Sequence, residues 1–122
     1  MGDQKNILII EDDRDILEVL KDLLESEGYT VATAENGKIG IEVLQNLKER
    51  PKLILVDLMM PIMDGFQFRQ EQLKIDDLKK IPVVVMSADG RMELKKDKIG
   101  VDIFLKKPLD LETVLSTVSG FF

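Results

Sequence analysis

The sequence contains no cysteine and no histidine, and each absence removes a class of chemistry. Without thiols there are no disulfides, no thiolate zinc sites and no cysteine nucleophile. Without imidazole there is no Ser-His-Asp or Cys-His catalysis and no ring nitrogen for a metal, which leaves carboxylate and carbonyl oxygens as ligands. Those donors suit a hard cation, Mg²⁺ first and Mn²⁺ as the alternative. No apolar run approaches the roughly 20 residues of a membrane-spanning helix. The stretch from Met1 to Asn6 lacks the apolar segment of a signal peptide, so a cytoplasmic protein without membrane contact is expected. Basic residues are in the minority, 17 against 23 acidic ones, for a net charge of −6. That balance argues against nucleic acid as a direct partner and favours a cation or a basic protein surface.

What is present fits one domain over residues 1–122, with 44% hydrophobic and 33% charged residues, large enough for a core without crosslinks. Apolar runs of strand length at 7–10, 30–33, 53–56, 83–86 and 103–105 alternate with helical periodicity. The first, third and fourth are continuously apolar, as parallel strands covered on both faces are; the second alternates and reads as an edge. Helices are expected over 15–27, 37–49, about 65–74, about 91–98 and 110–119. Their inward residues are Ile16, Leu17, Leu20, Leu23 and Leu24; then Ile39, Ile41, Val43, Leu44 and Leu47; Phe66, Phe68 and Leu73; Met92, Leu94 and Ile99; and Leu111, Val114, Leu115 and Val118. Gly28 is a natural stop for the first. Repeated strand–helix units with right-handed crossovers predict an α/β fold: a doubly wound five-stranded parallel sheet, strand order 2-1-3-4-5, helices on both faces.

In that order the first and third strands adjoin, and ligands bind beyond their carboxyl ends. The first strand is followed by Glu11-Asp12-Asp13, the third by Asp57, the fourth by Ser87-Ala88 and the fifth by Lys106-Lys107-Pro108. Acids crowded into one crevice repel each other, and they bind a divalent cation or take up a proton. A lysine suits an anion, and Ser87 can donate to a phosphoryl oxygen. Asp57 is expected to be exposed at the sheet rim, where Pro61 and Asp64-Gly65 stop the strand and start a turn. Plainer readings stand beside these: a turn-initiating Asp57, Asp13 as a helix cap, Ser87 as a loop hydroxyl, Lys106 and Lys107 as a solvated pair, Phe104 as core. The ending Gly120-Phe121-Phe122 suggests a C-terminus that packs.

Ile7-Leu8-Ile9-Ile10-Glu11-Asp12, Asp57-Leu58-Met59-Met60-Pro61-Ile62-Met63-Asp64-Gly65, Ser87-Ala88 and Lys107-Pro108 together resemble the receiver domain of bacterial two-component response regulators. Gly28-Tyr29 and Ala34-Glu35-Asn36-Gly37 extend the resemblance over nearly the whole chain, which is similar to the family's single-domain chemotaxis-type members. The resemblance implies a flavodoxin-like (βα)5 fold and a switch that accepts a phosphoryl group on Asp57, from the phosphohistidine of a sensor histidine kinase or a histidine phosphotransfer protein. It implies Mg²⁺ held by Asp12, Asp57 and the Met59 carbonyl, with Glu11 acting through a bound water. Lys107 would pair with Asp57 and then with the phosphoryl group, Ser87 would be the switch hydroxyl, and Phe104 the aromatic that follows it inward. The output would be a downstream protein target, with a phosphorylation-dependent homodimer as the alternative.

Two other readings compete. Dehalogenase-like phosphatases carry a second Asp two positions after the nucleophile, and Met59 occupies that place, which argues against an enzyme turning over external phosphate esters. A receiver-like module that is never phosphorylated is disfavoured by the complete set of acids and lysine. Three departures from the family pattern stand out: Glu11 where Asp is commoner, Ser87 where Thr is frequent, and a shortened interval from Ser87 to Lys107 with a turn signal at Asp89-Gly90. A shortened or displaced fourth helix is therefore expected.

Overall fold

Continuous apolar runs become the middle of a sheet when both faces are covered, and that is where this chain puts them. The computed structural model describes residues 5–88, 100–101 and 103–122. Among these, strands β1 (Asn6–Ile10), β2 (Thr30–Ala34), β3 (Leu53–Asp57), β4 (Val83–Ser87) and β5 (Ile103–Lys106) form one parallel sheet in the order β2-β1-β3-β4-β5. β3 and β4 are buried at every position, whereas β2, at the edge, is buried only at Ala34. Helices α1 (Arg14–Ser26), α2 (Gly37–Asn46), α3 (Gly65–Leu73) and α4 (Leu111–Ser119) complete the described elements. The helix expected over about 91–98 and the Asp89-Gly90 turn before it lie outside the described residues.

Successive strand side chains point to opposite faces, so each central strand feeds two cores. Ile7 and Ile9 of β1 pack with Leu17, Leu20 and Leu24 of α1 and with Val114 and Val118 of α4. Leu8 and Ile10 pack on the other face with Leu44 of α2 and Phe68 of α3. The C-terminal aromatics close the first core: Phe121 packs against it, and the Phe122 ring lies 5.1 Å from that of Tyr29. α1 is bounded as its sequence dictates. Asp13 Oδ1 accepts from the Asp15 and Ile16 N–H groups, and Gly28 at φ 93 lets its own N–H and that of Tyr29 reach back to Glu25 and Leu24.

Three sequence expectations are corrected. α2 ends at Asn46, not at 49, because Leu47 is already extended (φ −74, ψ 134), while the Asn46 amide and the Arg50 guanidinium satisfy the carbonyls of Glu42 and Leu47. Leu111 is 41% exposed at the open first turn of α4. Leu73 is 45% exposed, and the neighbouring Gln72 is fully buried in its stead. The one-turn spacing from Phe68 brings position 72 inward. There Gln72 Nε2 donates to the carbonyls of Leu78 at 2.8 Å and Ile81 at 3.0 Å. Gln72→Leu keeps the volume but removes a donor that the Leu78 and Ile81 carbonyls share, leaving Leu78 only the Ile81 N–H at 3.1 Å, and is expected to destabilise by about 1–3 kcal/mol. Urea denaturation measures this; an unchanged midpoint would mean those carbonyls find other donors.

Candidate functional site: an acidic rim with one lysine

Parallel strands end at the same side of their sheet, so the register decides which side chains meet. Ile10 pairs with Val56, Asp57 with Met86, and Ser87 with Lys106. The residues just beyond are tied down in turn: the N–H groups of Glu11, Leu58 and Lys107 donate to the carbonyls of Ala34, Met86 and Ser87 at 3.0, 2.9 and 2.8 Å. Glu11, Asp57, Ser87 and Lys107 therefore stand on sheet backbone and not on loose loops.

Carboxylate oxygens of Glu11, Asp12 and Asp57 lie within 4.8 Å of one another. Lys107 Nζ sits 2.5 Å from Glu11 Oε1 and 3.4 Å from Asp57 Oδ2. The other Glu11 oxygen, Oε2, accepts from the Asp13 N–H at 3.2 Å. Asp12 is exposed, but Glu11 is fully buried and Asp57 is only 4% exposed. The exposed carboxylate expected at position 57 is thus corrected. Asp57 is still a strand residue, paired with β4, and its side chain is buried beside Glu11 and Lys107.

Two acids with one amine between them cannot both be fully compensated. Burial pushes the Glu11 carboxyl from 4.5 up to about 7, with the neighbouring Asp57 carboxylate adding to the rise and Lys107 opposing it. Burial alone would make Lys107 less basic, yet its hydrogen bond to Glu11 and the charge of Asp57 outweigh that and raise it above 10.5. The lysine stays charged, and the surroundings of Glu11 strengthen its hold on a proton. Unfolded Glu11 releases that proton near 4.5 and folded Glu11 near 7, so between these values the folded state binds more protons. The contribution of Glu11 to the stability of the metal-free protein is expected to be present at low pH and lost as pH rises through that window. Urea midpoints at its two ends check this; a midpoint that rises with pH and does so unchanged in Glu11→Gln would contradict it.

The turn after β3 is built for close approach. Asp64 caps α3 by accepting from the Gln67 N–H at 2.9 Å while the Gln67 side chain accepts from the Asp64 N–H at 3.0 Å. At Gly65 a Cβ would stand 2.8 Å from the Asp57 carbonyl oxygen and 2.9 Å from Leu58 Cα, so only glycine lets α3 start against the end of β3. Ile62, exposed in this turn, holds φ 69, an unfavourable conformation for a β-branched residue.

The structure thus brings Glu11, Asp12, Asp57 and Lys107 into one cluster. Ser87 ends β4, buried, in the strand next to Asp57; Met59 follows in the β3–α3 turn with its side chain exposed; Phe104 is half-buried in β5 against the second core. The pairing of Lys107 with Asp57 is present, but the closer partner is Glu11. Sequence reading missed the Asp64–Gln67 box, although an acid three positions before Gln67 was a legible sign, and it gave Gly65 no role beyond the turn. The pattern of the response regulator receiver domain matches residues 7–119.

The chain belongs to that family.

This receiver domain is 34% identical over 93% of its length to the transcriptional regulatory protein CpxR homolog of Haemophilus influenzae, and spans 48% of that protein. Sporulation initiation phosphotransferase F of Bacillus subtilis is 29% identical, over 96% of this chain and 93% of its own. Among solved structures, the chemotaxis response regulator CheY4 of Vibrio cholerae superposes with a TM-score of 0.88 at 27% identity, covering 98% of this chain and all (100%) of that one. The receiver family is one of signalling switches. Among the described residues no helix is long and apolar enough to cross a membrane.

The donor chemistry of the cluster fits a hard divalent cation. Among the described residues three acids face one ammonium, an excess of carboxyl oxygens over positive charge, and oxygen ligands are what Mg²⁺ takes.

Proposed function

We propose that this receiver domain takes a phosphoryl group onto Asp57 and holds it as a signal. Asp12 and Asp57 would hold Mg²⁺ directly together with the Met59 carbonyl, and Glu11 would hold a water bound to it; Mn²⁺ could take the same place. The bound cation supplies charge neutralisation for the phosphoryl oxygens. The observation that carries the reading is the cluster itself: a strand-end carboxylate on fixed backbone, with two more acids in cation-sharing reach and one ammonium 3.4 Å away.

The protein's part in the reaction is positioning and charge. An Asp57 carboxylate oxygen attacks phosphorus, a P–O bond forms, and the P–N bond of the donor phosphohistidine breaks. The imidazole leaves with that electron pair and takes up a proton. Lys107 lies where its ammonium, ion-paired with Asp57, can move to a phosphoryl oxygen, and Ser87 ends the adjacent strand with a hydroxyl that can donate to one. Phe104 is the aromatic that follows the Ser87 hydroxyl inward. The donor is a sensor histidine kinase or a histidine phosphotransfer protein in the cytoplasm. The recipient of the signal is a protein, or a second phosphorylated copy of this chain. One phosphotransferase in name among the relatives and the match to a chemotaxis regulator support this reading.

Intact-mass analysis with a small acyl phosphate tests it. One phosphoryl group is expected in the presence of Mg²⁺ and almost none with a chelator. Equal uptake with the chelator would contradict the metal's part, and no uptake in either condition would contradict the whole.

A further inference from the structure

Away from the acidic rim, half-buried Arg69 of α3 makes a contact distant in sequence. Its Nη2 donates to the Gly100 carbonyl at 2.6 Å, 31 positions along the chain, and its Nη1 donates to Gln72 Oε1 at 2.8 Å. Gln72 is in turn fixed by the carbonyls of Leu78 and Ile81. The guanidinium is therefore held from behind by a buried amide, and little rotamer freedom is left to weaken its charge-assisted bond.

Both ends of this contact touch something that matters to Asp57. α3 starts at Gly65, whose backbone lies against the Asp57 carbonyl and Leu58. Gly100, at φ 67, precedes buried Val101, which belongs to the same core as Leu58 and Phe68 and with which Phe104 packs. Just beyond lies β5, whose last residue leads to Lys107. One short helix thus meets the phosphoacceptor strand at its start and, a turn later, grips the chain that leads into β5.

We propose that Arg69 is a positioning residue that couples the state of Asp57 to the Gly100–Val101 turn and so to β5. This rests on Asp57 being the phosphoacceptor. Charge and bulk added at the end of β3 press on the first turn of α3. The helix carries that displacement to Arg69, and Gln72 keeps the side chain from absorbing it.

The test is amide hydrogen exchange at Val101 and along β5, before and after phosphorylation by a small acyl phosphate with Mg²⁺, with phosphoryl uptake followed by mass in the same samples. In the parent protein these amides change on phosphorylation. Arg69→Met is expected to take up the phosphoryl group as the parent does, while Val101 exchanges about tenfold faster in the resting state, because the charge-assisted bond to the Gly100 carbonyl of the same peptide unit is lost. Its phosphorylation-dependent change is expected to shrink by about twofold or more, and Arg69→Lys, which keeps a charged donor, to recover part of it. A purely structural role would speed exchange equally in both states and leave the difference intact. That result, or no change at Val101, overturns the coupling. A parent protein that takes up no phosphoryl group overturns the reading of Asp57 and the coupling with it.

Discussion

Asp57→Asn is expected to lose phosphoryl uptake completely and, at neutral pH without metal, to be more stable than the parent protein. The loss follows from chemistry: an amide oxygen does not give an acyl phosphate with a small phosphodonor, and no other carboxylate of the cluster ends a strand beside Ser87 and Lys107. The gain follows from charge. Asp57 helps to hold the Glu11 carboxyl near 7, and removing its charge leaves Lys107 to compensate one buried acid where it had faced two. A stabilisation on the order of 1 kcal/mol is expected from relief of that repulsion. The fall in stability with rising pH should flatten in the same variant. Urea denaturation across pH, paired with intact mass, reads both effects, and an Asn variant less stable than the parent would show that Asp57 is held more by attraction to Lys107 than strained by Glu11.

Lys107→Met should do the reverse. It removes the ammonium that pairs with both Glu11 and Asp57, which are 0% and 6% exposed in their side chains, while Met preserves most of the apolar stem. Breaking a buried pair by removing one partner is costly because the other charge stays behind, and a loss of about 3 kcal/mol is expected in metal-free protein at neutral pH. Glu11 can soften the loss by taking a proton, so acidification should recover part of it. Added Mg²⁺ should recover part as well, since the site's excess negative charge is what the variant increases. A plain packing defect would respond to neither pH nor metal, and such indifference would contradict the electrostatic account of the site.

Which parts of this were legible in the sequence has a physical pattern. The strands were, since runs such as Leu53-Ile54-Leu55-Val56 admit no other use in so small a domain, and the alternation of β2 marked it as the edge. The strand ends then had to converge, which is why Glu11, Asp12, Asp57 and Lys107 could be gathered before any distance was known. Illegible was whatever depends on how side chains divide a shared space. Nothing in the residue types said that Lys107 would sit closer to Glu11 than to Asp57, or that the latter would be buried by its own neighbours. Gln72 was hidden for a similar reason. A polar residue in a helix with few apolar positions reads as surface until the buried carbonyls of Leu78 and Ile81 are seen to accept from its amide.

The departure at Glu11 also acquires a meaning. The longer arm takes its carboxylate under the rim to Lys107 and the Asp13 N–H, and its high proton affinity is a result of that burial. Residue 11 thus links the charge of the rim to Asp13, the N-cap of α1, in addition to the metal-bound water proposed for it.

The most direct test of the central claim is to find the phosphorylated atom. After reaction with a small acyl phosphate and Mg²⁺, borohydride reduces an aspartyl phosphate to homoserine, and peptide sequencing by mass locates it. The expected result is homoserine at position 57 and at no other acid, in protein that had gained one phosphoryl group. A phosphoryl group found on another residue, or a fully labelled protein that still reads aspartate at position 57 after reduction, would contradict the account.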